Sequence, residues 1–322
     1  MSDLPRFAAI CEEGPREGFQ SEPKVIPTAD KIRFIESLAE TGVKEINCVS
    51  FVNPKRVPQM ADAEAVASGI RRRPGVYYTS TILNAAGFER ARNTPLDCLP
   101  VMFLSASETF GIRNSNKNRS EALAEQRDML AMYRAAGLEP QAGYVFTAFG
   151  CAYESDVAPS LVVRAVSDLL ALAEGLPVPR IVLCDTVGWA TPLSVERLVG
   201  LLRERWPEIR LGLHLHDTRG MGIANAMAGL RLGVDYFESS CGGLGGCPFA
   251  GNTSAAGNIA TEELVQMCEE MGVRTGIDLD RLIECTVIAE QIVGHSLPSK
   301  VSRAGSIAAH RRRNAEAARS RA

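Results

Sequence analysis

Two histidines stand two residues apart in Leu213-His214-Leu215-His216-Asp217, and the chain has four histidines in all. Residues i and i+2 of a strand share a face, so the two imidazoles project side by side from a run that otherwise reads as buried. Neutral imidazole is a preferred ligand of divalent transition metals, and the spacing is that of two neighbouring ligands. The competing reading is a pair of histidines packed in the core. A carboxylate beside two imidazoles suits a divalent cation with open positions, and Glu17 is the nearest acidic candidate for a third ligand. Next to it, Arg16 offers a fixed positive charge for an anion forming on a substrate. Cys247 lies in the glycine-dense stretch 242–252, which can bring backbone N–H groups and a thiol close to a ligand. It reads equally as a small buried hydrophobe.

Alternating strand and helix patterns have to position these residues. Apolar runs predict strands at 7–12, 45–51, 76–82, 98–104, 141–148, 180–184, around His214, and at 236–240. Helical periods predict helices at 28–41, 60–71, 85–92, a long one ending near 136 after a polar loop at 105–118, then 159–174, 192–205, 222–232 and 260–271. Eight βα units with near-continuous apolar strands indicate a parallel sheet covered by helices. Eight units over about 250 residues predict an α/β fold of one (β/α)8 TIM barrel; an open doubly wound sheet is the alternative. In such a barrel the site lies at the C-terminal ends of the strands. That face collects Arg16 and Glu17, Ser50 and Asn53, Glu108, Asp185 and Thr186, the two histidines and the Cys247 loop. An extra C-terminal helix is predicted at 278–294, completing a catalytic unit over 1–300. Residues 301–322, with an arginine-rich end, read as a disordered basic tail.

Composition narrows the function classes. With 322 residues, 46% hydrophobic and 23% charged, the chain can bury a large core. A net charge of −3 supplies no basic field for nucleic acid, and no apolar run approaches the roughly 18 residues that span a bilayer. Nine cysteines, an odd number with no CxxC pair and no secretory signal at residues 1–5, read as reduced thiols of a cytoplasmic protein.

Several segments, in order from about residue 7 to residue 300, resemble 3-hydroxy-3-methylglutaryl-CoA lyase, of the DRE-TIM type of metal-dependent barrel lyases and condensing enzymes. They are Gly14-Pro15-Arg16-Glu17-Gly18-Phe19-Gln20, Ser50-Phe51-Val52-Asn53-Pro54-Lys55-Arg56-Val57-Pro58-Gln59-Met60, Gly143-Tyr144-Val145, Asp185-Thr186-Val187-Gly188, His214-Leu215-His216-Asp217-Thr218 and Gly243-Leu244-Gly245-Gly246-Cys247-Pro248. The resemblance implies a barrel, a divalent metal (Mg2+ or Mn2+, with Zn2+ a further candidate) and a homodimer. It makes His214 and His216 metal ligands, places Glu17 where the family has a metal-binding aspartate, and matches Asn258 to a ligand asparagine. It matches Arg16 to the arginine that steadies the enolate oxygen, Cys247 to the cysteine of a mobile loop active in proton transfer, and Asp185 and Glu262 to acidic residues supporting the site. Three departures stand out: Glu17 is a methylene longer than the aspartate, Asn47 stands where the lyase has a catalytic glutamate, and the stretch between Cys247 and Asn258 is two residues longer.

The implied activity is retro-Claisen cleavage of a 3-hydroxy-acyl-CoA thioester, giving acetyl-CoA and a keto acid. The metal would hold the substrate hydroxyl and a carbonyl oxygen, and either His214 or water on the metal would take the hydroxyl proton. Arg16 would stabilise the enolate, and Cys247 or a neighbour would protonate it. A condensing enzyme using acetyl-CoA and a 2-oxo acid is one rival; a barrel that binds without catalysis is another. Strand alternation puts Glu45, Asn47 and Val49 on one face, and the resemblance places Asn47 toward the barrel interior near the reacting carbons. Its amide is expected to meet an acceptor on the acyl group, so 3-hydroxy-3-methylglutaryl-CoA itself is expected to be cleaved poorly.

Overall fold

The computed structural model describes residues 4–177, 179–246 and 256–320. All eight strands form: β1 Ala9–Glu12, β2 Glu45–Ser50, β3 Tyr77–Thr81, β4 Val101–Ser105, β5 Ala142–Phe146, β6 Arg180–Cys184, β7 Leu211–His214 and β8 Tyr236–Ser239. They pair in parallel in the order β3-β2-β1-β8-β7-β6-β5-β4. Apart from β3 and β4, each strand pairs with its sequence neighbours, and the first pairs with the last, which is the ring order of a (β/α)8 barrel; a doubly wound sheet reverses direction at a switch point. The ring lacks a ladder between β3 and β4. There the Asp97 N–H donates to the Tyr78 carbonyl at 2.8 Å, and the Tyr78 N–H donates to the Asp97 carboxylate at 2.8 Å.

Strand alternation divides the apolar side chains between two layers. The large core lies between sheet and helices and takes Ile10, Ile46, Met102, Val145, Leu183, Leu213 and Phe237. A smaller cluster of Cys11, Val182, Cys184 and Tyr236 fills the barrel interior, with Tyr144 and Phe146 packed against it. Inward positions are therefore Cys11 and Glu13 beyond it, Tyr144 and Phe146, Gly212 and His214, and Tyr236 and Glu238. Gly212 is required for packing, since a Cβ there would lie 2.7 Å from the Tyr236 ring.

Three expectations change. The loop predicted at 105–118 contains a helix, Glu108–Ser115, whose N-terminus is capped by Ser107 accepting from the Phe110 N–H. Its one buried side chain, Phe110, is too little to produce a helical hydrophobic period. The helix expected at 60–71 is a 3-10 turn at Pro58–Met60 followed by Ala63–Gly69. Asp62, before it, is engaged elsewhere: its carboxylate accepts from Thr28 at 2.6 Å and from buried Lys31 at 2.5 Å. The tail expected to be disordered forms helices Val301–Ala304 and Ile307–Arg319. Ser306 caps the second, and Arg311 pairs with Glu270 at 2.6 Å while Arg312 pairs with Asp280. Acidic partners on helices Thr261–Glu270 and Leu279–Val293 offset the mutual repulsion of the arginines. The extra helix is present as Leu279–Val293, between the Asp278 cap and left-handed Gly294.

Candidate active site and metal centre

At the end of β1 the chain coils through one π-helical turn, Gly14–Gly18, in which the Glu17 N–H reaches the Glu13 carbonyl at 2.8 Å. The turn carries Glu13, Arg16 and Glu17 over the mouth of the barrel. Glu12 points the other way, into the sheet–helix layer, and accepts from the Gly14 N–H, the Cys241 N–H and the Thr261 hydroxyl at 2.7–2.8 Å. Burial pushes its pKa up to about 8, and three donors offset a desolvation cost of several kcal/mol. Glu12 thus latches the ends of β1 and β8 together.

Opposite this turn, His214 and His216 emerge from β7. The His216 Nε2 lies 3.2 Å from a Glu17 carboxylate oxygen and 3.2 Å from the His214 Nε2, which is itself 3.7 Å from Glu17. The three ligand atoms lie within 4.8 Å of one another. The extra methylene of Glu17 therefore leaves its carboxylate within the group. Segment 256–260 runs back along the end of β7, with the Asp217 N–H on the Gly257 carbonyl at 2.7 Å and the Ile259 N–H on the Leu215 carbonyl at 3.0 Å. This bridges Asn258 to His216. Asn258 is 2% exposed, and neither end of its amide has a hydrogen-bond partner among the described residues. Leaving such a group unsatisfied costs about 1–3 kcal/mol. A cation would satisfy the amide oxygen, and one carboxylate, two imidazoles and an amide oxygen form a donor set suited to a divalent ion.

The surrounding charges support that arrangement. Burial opposes ionisation of Glu17, but Arg16 and the two imidazoles outweigh it and hold the carboxyl well below its ordinary pKa. Burial also opposes charge on His214, yet Glu17 and a hydrogen bond to Glu238 leave its pKa raised. The Arg16 guanidinium spans Glu13 at 2.5 Å and Glu17 at 2.9 Å. Burial pushes Glu13 up to about 7 against the pull of Arg16.

Asn47 reaches the same group from β2. Its amide nitrogen donates to Glu13 at 3.0 Å and to the Thr81 hydroxyl at 3.0 Å, while its oxygen has no partner among the described residues. This corrects the expectation that the amide hydrogens await a substrate: both are taken. A bulge between Asn47 and Val49 also breaks the alternation, and Val49 joins the outer core instead of following Asn47 inward. Glu262, matched by resemblance to an acidic residue supporting the site, lies behind the glycine-rich loop. It is fully buried, takes the Gly242 N–H on its carboxylate at 2.9 Å and the Thr286 hydroxyl beyond it, and braces the turn at the base of the glycine-rich loop. Asp185 caps the loop after β6, accepting from the N–H groups of Trp189 and Ala190 at 2.7 and 3.1 Å; its other oxygen has no partner among the described residues. Cys247 lies outside the described residues.

The HMGL-like family model matches residues 8–288. The chain belongs to the HMGL-like family. It is 40% identical over 296 residues to the hydroxymethylglutaryl-CoA lyase of Bacillus subtilis, covering 92% of this chain and 96% of that protein. It is 37% identical to the mitochondrial hydroxymethylglutaryl-CoA lyase of Bos taurus, covering 94% and 91%. Among solved structures, the Bacillus subtilis HMG-CoA lyase superposes with a TM-score of 0.87 at 38% identity, covering 94% of this chain and 99% of that one. An HMG-CoA lyase from Acinetobacter baumannii, in complex with coenzyme A and 3-methylmalate, gives 0.85 at 36% identity, covering 95% and 98%. The chain is thus an HMGL-like carbon–carbon lyase on a (β/α)8 barrel.

This HMGL-like site contains two carboxylates that sequence reasoning passed over. Glu13 stood unmarked beside Glu12, although alternation along β1 sends one of the two inward. Glu238 is the lone acidic residue of β8, paired in register with His214. A carboxylate inside an otherwise buried strand was the available signal, because an unpaired charge is not tolerated there.

Proposed function

We propose that this HMGL-like protein cleaves the bond between C2 and C3 of a 3-hydroxy-acyl-CoA related to 3-hydroxy-3-methylglutaryl-CoA, releasing acetyl-CoA and a keto acid. The observation that carries this reading is the convergence of Glu17, His214, His216 and an unsatisfied Asn258 beside Arg16. A barrel that merely binds a ligand needs neither convergent ligands nor a poised guanidinium. Glu17, His214, His216 and Asn258 would hold a divalent metal, Mg2+ or Mn2+ by the two oxygen donors that stand beside the two imidazoles. When bound, such an ion supplies Lewis-acid polarisation and a template for the substrate oxygens.

His214 turns its Nε2 to the ligands and its Nδ1 to Glu238, so it has no lone pair left for a substrate proton. Asp185, with one carboxylate oxygen unengaged among the described residues, is the side chain left to take the hydroxyl proton. The C2–C3 electron pair then passes to the thioester, C3 becomes the ketone of the keto acid, and Arg16 stabilises the enolate oxygen. Cys247 donates the proton that completes the acetyl group. Asp185→Asn and Cys247→Ser are each expected to slow single turnover by about a hundredfold or more with little change in substrate affinity. An unchanged rate in either variant returns that residue to a structural role.

The acyl group is set by Asn47, Thr81 and the aromatic pair Phe103 and Phe146, whose rings stand 5.9 Å apart. Both Asn47 hydrogens are engaged and the Glu13 carboxylate stands behind them, so a carboxylate at the far end of the acyl chain gains no hydrogen bond from this amide. A thioester whose far-end carboxylate stands on a shorter arm is expected to be cleaved faster than 3-hydroxy-3-methylglutaryl-CoA, and still gives a keto acid. Acetyl-CoA release from a panel of such thioesters, assayed with Mn2+, tests the reading. Best turnover of 3-hydroxy-3-methylglutaryl-CoA would refute the preference, and no acetyl-CoA from any member would refute the activity. A homodimer and a cytoplasmic location belong to the same reading; among the described residues no helix is long and apolar enough to cross a membrane. A monomer alone in sedimentation velocity would remove the dimer.

A further inference from the structure

Glu238 is 2% exposed in the barrel interior, and three donors meet on its carboxylate. One oxygen lies 2.8 Å from the His214 Nδ1; the other accepts from the Tyr144 hydroxyl at 2.5 Å and faces the Tyr236 hydroxyl at 3.4 Å. These groups come from three strands. His214 and Glu238 are register partners on β7 and β8, and Tyr144 reaches across from β5. Tyr236 is pinned in turn, with the Arg180 guanidinium 3.4 Å from the centroid of its ring. The carboxylate therefore has little freedom to turn, and its contact with His214 is set by the sheet.

We propose that Glu238 is a positioning residue that locks His214 in its Nδ1–H tautomer and aims the bare Nε2 at Glu17 and His216. A carboxylate oxygen engaged by tyrosine hydroxyls is an acceptor, so the ring nitrogen facing its partner oxygen has to carry the hydrogen. A neutral imidazole with Nδ1 protonated keeps its lone pair on Nε2, the atom 3.2 Å from the His216 Nε2. Without that partner the ring divides between tautomers and rotates more freely, and part of the population presents an N–H to the ligand cluster. Fixing a metal-binding histidine through its second nitrogen is worth about 10–100-fold in metal affinity. The inference rests on the metal-site reading proposed above, and it assigns to this chain a carboxylate that touches neither substrate nor metal.

The tautomer is measured on the chelated full-length protein labelled with 15N-histidine, at a pH high enough that His214 is neutral, and metal affinity by calorimetric titration with Mn2+. The parent is expected to show His214 protonated at Nδ1. Glu238→Ala is expected to give mixed tautomers and Mn2+ binding about 10–100-fold weaker. Glu238→Gln keeps an acceptor for Nδ1 and a polar contact for Tyr144, and is expected to restore the tautomer and most of the affinity. A parent whose His214 is protonated at Nε2 overturns the proposal whether or not any variant folds. A folded Glu238→Ala protein with the parent's Mn2+ affinity overturns it as well. A parent that takes up no Mn2+ overturns the metal-site reading instead, and the tautomer measurement, made without metal, tells the two failures apart.

Discussion

Alanine at both His214 and His216 is expected to give a folded barrel that retains no divalent metal and cleaves no thioester. The two imidazoles supply half of the proposed ligand set, and losing both leaves Glu17 and Asn258, too few donors to hold an ion against water. Stability is expected to suffer far less than activity. Neither histidine belongs to the core between sheet and helices, and the C-terminal ends of barrel strands serve function more than folding. The main structural cost is at Glu238, which loses its His214 partner but keeps the Tyr144 and Tyr236 hydroxyls. A lost partner of this kind costs about 1–3 kcal/mol, a fraction of the stability of a domain this size. Thermal unfolding by circular dichroism, with metal content measured on the same sample, checks both halves. A double variant with the parent's metal content or turnover would remove the ligand assignment.

Arg16→Gln is expected to lower kcat by about a thousandfold, the upper range for loss of one donor aimed at a developing oxyanion. The guanidinium is held on one side by Glu13 and on the other by Glu17, so its position is fixed before substrate arrives and needs no reorganisation as charge develops. Arg16→Lys is expected to recover little, because a lysine ammonium cannot span two carboxylates in one plane. The same substitutions leave Glu13 buried without its cation, so a lower melting temperature accompanies the loss of rate. Single-turnover rates at saturating substrate separate the two effects. A folded Arg16→Gln enzyme within tenfold of the parent rate would place the oxyanion donor elsewhere.

The barrel was legible because its signals are local and repeated. Strand Arg180–Cys184 and helix Pro192–Arg205 lie where the apolar run and the helical period place them, and His214 and His216 share a face because strand geometry requires it. What escaped depends on contacts between distant segments. The donors of Asn47 are occupied by Glu13 and Thr81, 34 residues away on either side, and no pattern around residue 47 reports that. The bulge after Asn47 changes the face of Val49 by inserting one residue, which composition does not reveal. Glu262 matched a supporting acidic residue by resemblance, but how it braces the loop depends on Gly242 and Thr286, 20 and 24 residues away. The arginine-rich end read as disordered because its compensating acids, Glu270 and Asp280, lie about 30 to 40 residues upstream.

The central claim is that Glu17, His214, His216 and Asn258 form a metal centre on which carbon–carbon cleavage depends. It is tested most directly by titrating the chelated parent protein with Mn2+ while following acetyl-CoA release from its fastest thioester. The account predicts no release before metal is added and a rise that levels off at one equivalent per chain. Full turnover in the presence of excess chelator would contradict it.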